Sequence, residues 1–136
     1  MNYINFYNLK PGDRIITPKS PIGLIQHHVI YLGKNFENQD LIAENAFGKY
    51  VRVVTAEEFF TEYNHTPKIV SFQGSNHQRS EAVRRALDQL GKPYDLINFN
   101  CEHFANLVQT GYLKSLQMNS AVFLLIILVA IIIFND

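Results

Sequence analysis

Excess charge, cysteine and a leader segment are all scarce in this chain of 136 residues, and each scarcity removes a class of function. Twelve lysines and arginines balance twelve aspartates and glutamates, giving a formal net charge of +0. Nucleic-acid binding of the general electrostatic kind needs a strong positive field to displace counterions, so nucleic acid is not an expected partner. One cysteine, Cys101, cannot close an internal disulfide, and the usual zinc sites need several Cys or His at close spacing. The five histidines (His27, His28, His65, His77 and His103) contain no i, i+4 pair, so neither a metal nor another cofactor is expected. The N-terminal stretch Met1-Asn2-Tyr3-Ile4-Asn5-Phe6-Tyr7 has no basic or apolar leader pattern, and no signal peptide is expected. The length suits a single domain.

What the chain does have is a hydrophobic tail. Residues 121–134, Ala121 to Phe134, are apolar without interruption. At a 1.5 Å rise, such a helix is roughly 21 Å long, short of the ~30 Å hydrocarbon core of a bilayer. Starting at Leu116 extends it to roughly 28 Å but brings in Gln117, Asn119 and Ser120. A helix apolar all round needs apolar surroundings, and the preceding residues are too few to enclose it as a core element. The expectation is a catalytic or binding domain over residues 1–114 and a membrane anchor over 115–136, single-pass or lying on the surface. The domain is expected on the cytoplasmic side, with Lys114 as weak positive-inside support.

The rest reads as an α+β domain, a mainly antiparallel sheet with helices grouped late in the chain. Pro11-Gly12-Asp13 is a turn signal ahead of a strand at residues 14–17, and Pro18, Pro21 and Gly23 make a loop. β-Branched and aromatic residues predict further strands at 26–32, 41–44, 50–54 and 68–72. Thr55 with Glu58, and Ser75 with Gln78, are capping-box patterns opening helices. In the second helix Val83, Ala86, Leu87 and Leu90 form the expected apolar stripe, while Arg79, Arg84 and Arg85 read as a solvated face with Glu81 as partner. A last helix is predicted over residues 100–110, with Cys101, Phe104, Ala105 and Val108 inward and Gly111 at its end.

Cys101 therefore falls in the first turn of a helix, where free N–H groups and the positive end of the helix dipole favour a thiolate. The same N–H groups could stabilise an oxyanion after attack on a carbonyl. A base is still required, and His27 or His28 on the predicted second strand can supply it. A third polar group on the neighbouring strand would orient the imidazole, with Glu44 and Asn45 as candidates. The plain alternative is a small core cysteine in a non-catalytic, membrane-tethered binding module. His103 lies about 200° round the helix from Cys101 and reads as structural. His65 and His77 fall in polar segments and read as solvated. Tyr31, on the His27 face of its strand, either lines the cleft or fills the core.

Asn100-Cys101-Glu102-His103-Phe104 resembles the signature of the lecithin:retinol acyltransferase-like family, a permuted branch of the NlpC/P60 papain-like enzymes. Pro11-Gly12-Asp13 resembles that family's opening motif, and His27-His28-Val29-Ile30-Tyr31-Leu32-Gly33 its histidine strand. The likeness extends over roughly residues 9 to 112, and the hydrophobic tail also resembles that of animal members. It implies a permuted papain-like fold with Cys101 as nucleophile and His27 as general base. His28 replaces the usual Trp and reads as structural or solvent-facing. Where the family commonly has a second histidine, this chain has Glu44, whose anionic charge should raise the His27 pKa, with Asn45 as runner-up. The implied activity is transfer of a fatty acyl chain from a membrane glycerophospholipid through a Cys101 thioester to water, an amine or an alcohol. A cysteine peptidase or amidase of NlpC/P60 type is the enzymatic alternative.

Overall fold

The computed structural model describes residues 2–19, 22–113 and 115–134, of which 116–118 and 133–134 are described by backbone alone. Pro21 and Lys114, which entered the sequence reading, lie outside the described residues. Asp13 organises the opening of the fold. Its buried carboxylate accepts from the Lys10 N–H (2.9 Å), the Phe72 N–H (2.9 Å) and Arg79 Nη1 (2.7 Å), joining the Pro11-Gly12 turn to two distant segments. A four-residue helix that the sequence reading missed, α1 (Tyr3–Phe6), precedes it.

Five strands follow, β1 (Arg14–Pro18), β2 (Gln26–Lys34), β3 (Asp40–Asn45), β4 (Val51–Thr55) and β5 (Lys68–Val70). They form one antiparallel sheet in the order β4-β3-β2-β1-β5. Strand β2 is central and buried almost throughout. Its register against β3 shifts between Tyr31 and Gly33. Gly33 has φ +101°, and a Cβ there would sit 3.1 Å from Pro11 Cγ, so the opening turn packs directly on this irregularity.

Each face of the sheet is covered differently. Helix α2 (Ala56–Glu62), with its Thr55–Glu58 capping box formed, lays Phe59 and Phe60 on the face carrying Val29, Tyr31 and Ile42. Helices α3 (Asn76–Asp88) and α4 (Cys101–Thr110) cover the other face, where Phe104, Ala105 and Val108 meet Ile30 and Ala43. The inward face of α4 is the one its sequence predicts, and Gly111 takes the left-handed conformation that ends it.

Helix α3 departs from expectation. Its buried positions are Ala82 and Ala86, whereas Leu87 and Leu90 are exposed. Nor is its arginine face simply solvated with Glu81. Arg79 bonds Asp13 and the Pro11 carbonyl, Arg85 donates to the Val108 carbonyl at the end of α4, and Glu81 pairs with His77. Small residues let α3 approach closely while arginine stems and carbonyl contacts do the fastening.

The C-terminal segment is a helix, α5 (Leu116–Phe134). Among the described residues no helix is long and apolar enough to cross a membrane, so the expected transmembrane anchor is not supported. Polar Gln117, Asn119 and Ser120 occupy its first turns, which leaves about 21 Å of uninterrupted apolar helix. From Val122 to Ile132 its large side chains are exposed.

Candidate active site

The sheet register builds most of the site. Val29 lies opposite Glu44, and Glu44 opposite Arg52, so His27, Glu44 and Arg52 share one sheet face in a diagonal row. His27 Nε2 is 2.8 Å from Glu44 Oε2, and both groups are buried. The other carboxylate oxygen, Oε1, accepts from Arg52 Nε (2.9 Å) and Nη2 (2.7 Å). Above the imidazole lie Tyr63, with its ring centroid 5.0 Å away, and Phe59 at 6.2 Å.

The Asn100 cap positions Cys101 at the first turn of α4. The Asn100 side chain accepts from the Glu102 and His103 N–H groups, and His103 Nδ1 accepts the Asn100 N–H at 3.2 Å. His103 is thus a capping residue, in line with its structural reading. This cap narrows the expected oxyanion site. Two of the first-turn donors are taken, leaving the Cys101 N–H as the uncommitted one among the described residues.

The thiol is almost fully buried, with Sγ 3.7 Å from the Gln26 carbonyl. Burial opposes the thiolate, but the hydrogen bond and charge of His27, the His28 backbone N–H and the Lys19 charge outweigh it, and the pKa falls below the ordinary thiol value. His27 shifts the opposite way. Burial would lower its pKa, yet its bonds and charge interactions with Cys101 and Glu44 raise it. Glu44 is held below the usual carboxylate range by His27 and Arg52, against the effect of its own burial. With Nε2–H donating to Glu44, Nδ1 is the nitrogen left to serve the thiol. It is buried and has no hydrogen-bond partner among the described residues.

The remaining candidates fall elsewhere. His28 is not solvent-facing: it is buried, and its Nδ1 accepts from Arg14 Nε at 2.9 Å. Burial first, and then the Arg14 charge, lower its pKa to about 4. Asn45 projects to the opposite face from Glu44 and donates to the Phe99 carbonyl at 2.8 Å, steadying the turn before Cys101. Tyr31 packs in the core under α2, and its hydroxyl donates to Asp40 Oδ1 at 2.7 Å. His65 and His77 are exposed.

Sequence reasoning missed Arg52 and Tyr63. Arg52 was legible as the one charge in an otherwise apolar strand, once that strand pairs with the one holding Glu44. Tyr63 depends on how α2 crosses the sheet, for which no local signal exists.

Beside Cys101 opens a cavity of about 560 Å³, walled mainly by apolar groups that include Leu24, Ile25 and Leu96. A buried, acid-shifted thiol beside such a cavity, with an ion-paired imidazole behind it, is suited to acyl transfer from an apolar ester. No individual curated protein matches the chain. The family model for lecithin retinol acyltransferase matches residues 7–114, which include Cys101, His27 and Glu44. The chain therefore belongs to the lecithin retinol acyltransferase family, a family of thiol acyltransferases and phospholipases that act on lipids.

Proposed function

We propose that the protein takes a fatty acyl chain from a glycerophospholipid through a Cys101 thioester and passes it to water, an amine or an alcohol. The observation that carries this reading is the buried imidazole held at Nε2 by Glu44 at 2.8 Å, its Nδ1 unpartnered among the described residues, with Cys101 Sγ 3.7 Å from the carbonyl of the adjacent Gln26. The residue roles follow. Cys101 is the nucleophile, His27 the general base and then acid, and Glu44 the orienting anion, with Arg52 fixing Glu44. We read residues 1–114 as a permuted papain-like catalytic domain, with the histidine strand before the nucleophile helix, acting at the cytoplasmic face of a membrane.

In the first half-reaction the Cys101 proton moves to His27 Nδ1 and sulfur attacks the ester carbonyl carbon. The Cys101 N–H faces the oxyanion that develops. Collapse breaks the carbon–oxygen bond, and the lysophospholipid alkoxide leaves with the proton from Nδ1. In the second half, His27 takes a proton from water, an amine or an alcohol as it attacks the thioester. The acyl product leaves and the thiol is regenerated. Glu44 stabilises the imidazolium in both halves without itself taking the proton.

Intact-protein mass spectrometry in phosphatidylcholine micelles, with released fatty acid counted, tests this reading. Wild type should carry an acyl adduct that Cys101→Ala lacks. Folded wild type giving neither adduct nor fatty acid would rule out phospholipid as donor and bring the peptidase and binding-module readings forward.

A further inference from the structure

The apolar cavity beside Cys101 has two walls from different parts of the chain. One is the domain itself, through Leu24, Ile25 and Leu96; the other is α5, through Ser120, Ala121 and Leu124. Leu24, Ile25, Leu96 and Leu124 are each more than half exposed, so the cavity is a gap between apolar surfaces that nothing among the described residues fills. Its volume of about 560 Å³ lies within the range of small-molecule sites.

The root of α5 is fastened to the nucleophile helix by buried polar bonds. Ser115, only 2% exposed, donates from its hydroxyl to Glu102 Oε2 at 2.8 Å and accepts from Asn100 Nδ2 at 3.2 Å. Those two residues flank Cys101. The Ser115 carbonyl accepts from the Asn119 N–H at 3.1 Å, so the same residue begins the helix. Buried hydroxyl bonds of this kind fix an approach direction that apolar contact alone would leave loose.

We propose that α5 is one wall of a long-chain acyl subsite. The chain of the Cys101 acyl group lies between Leu24, Ile25 and Leu96 on the domain and Ser120, Ala121 and Leu124 on the helix. The inference rests on the acyl-transfer reading and adds to it a binding role for the tail segment. Two nearby positions on the helix then have different duties. Ala121 is small where the chain must pass, whereas Ile126, about 140° from Ala121 and 200° from Leu124 around the axis, points away from the subsite.

The test uses full-length protein carrying Cys101→Ala, with the fluorescent long-chain fatty acid cis-parinaric acid as probe and palmitate as competitor. Saturable binding near one per chain is expected. Adding Ala121→Trp or Leu124→Trp should weaken it tenfold or more, while Ile126→Trp, which adds the same bulk as Leu124→Trp but on the far side, should not. Equal affinity across the three tryptophan variants overturns the proposal, and so does the absence of saturable binding. With Cys101 restored, Ala121→Trp should still accept a butyryl group from a short-chain nitrophenyl ester but lose palmitoyl. Acylation with the same chain-length profile in every variant leaves the acyl-transfer reading standing and rejects the wall. Tryptophan-sensitive parinarate binding without acylation by any ester keeps the subsite and rejects acyl transfer.

Discussion

His27 and His28 are adjacent in sequence and both buried, yet their side chains take opposite faces and their pKa values move in opposite directions. The pleat sends one imidazole to the face under α2 and the other to the face under α4. His27 meets a carboxylate and a thiol, and its pKa rises. His28 meets a guanidinium, and its pKa falls to about 4. Burial disfavours the charged form of each. What separates them is the sign of the neighbouring charge, and that sign is fixed by which face each side chain takes. One histidine is thereby poised to move a proton, and the other is kept neutral as an acceptor for Arg14.

The largest expected effect comes from removing one imidazole at a time. His27→Ala should slow acylation of Cys101 by about 100- to 10,000-fold, the usual contribution of a positioned acid–base group. His28→Gln keeps an acceptor for Arg14 and the backbone N–H to sulfur, so acylation per folded molecule should change only a few-fold. The wild-type thiol should also be alkylated at mildly acidic pH, and His27→Ala should move that reactivity toward the ordinary thiol range. Iodoacetamide labelling against pH checks both variants, and equal losses would erase the distinction.

The next pair, Glu44 and Asn45, repeats the comparison one strand over. Glu44→Gln removes the anion that helps raise the His27 pKa and leaves Arg52 without its partner. The thiolate–imidazolium pair should weaken, and acylation should fall about tenfold or more, with the acid side of the pH–rate profile changed. Asn45→Ala should instead cost about 1–2 kcal/mol of stability through the lost bond to the Phe99 carbonyl. Its pH–rate profile should keep the wild-type shape. Thermal melts and rate profiles on both variants separate an orienting role from a structural one.

Period-two alternation makes these opposed faces legible in the sequence. It puts His27 and Tyr31 together and His28 on the other side, and it leaves Glu44 and Asn45 as rivals because β3 alone does not say which of its faces meets β2's. Only the register, Val29 opposite Glu44, decides that. The α4 stripe and its Asn100 cap were readable because helix period and capping chemistry are local. Tyr31 was ambiguous for the opposite reason: its place depends on α2, which covers it. The tail shows the limit most clearly. Its composition announced an apolar helix, but the tie from Ser115 to Asn100 and Glu102 joins residues that carry no mutual signal in sequence.

A smaller effect should appear in stability rather than rate. His28 takes up its proton near pH 6.5 in the unfolded chain and only near 4 in the fold, so the unfolded state binds more protons between those values. Stability should therefore fall as pH drops from about 6.5 to about 4, by at most about 3 kcal/mol. His27 pulls the other way: its contribution is present below 6.5 and is lost as pH rises through the raised native pKa. Urea denaturation of His28→Gln at several pH values should show a shallower acid slope than wild type. An unchanged slope would assign acid sensitivity to other groups.

The smallest effect sharpens the electrostatics of Cys101 itself. Lys19 borders both the Cys101 cavity and an adjoining one near Tyr63, and its charge is the weakest of the influences that lower the thiol pKa. A half-buried lysine near solvent is screened by salt over a Debye length of about 10 Å at 0.1 M, whereas the buried His27 is not. Lys19→Ala should therefore shift the alkylation profile slightly toward higher pH at low ionic strength and match wild type in strong salt. His27→Ala should differ from wild type at every salt concentration. If added salt moved Lys19→Ala as much as wild type, the lysine would have no share in the thiolate, and the lowered pKa would belong to the imidazole and the His28 N–H.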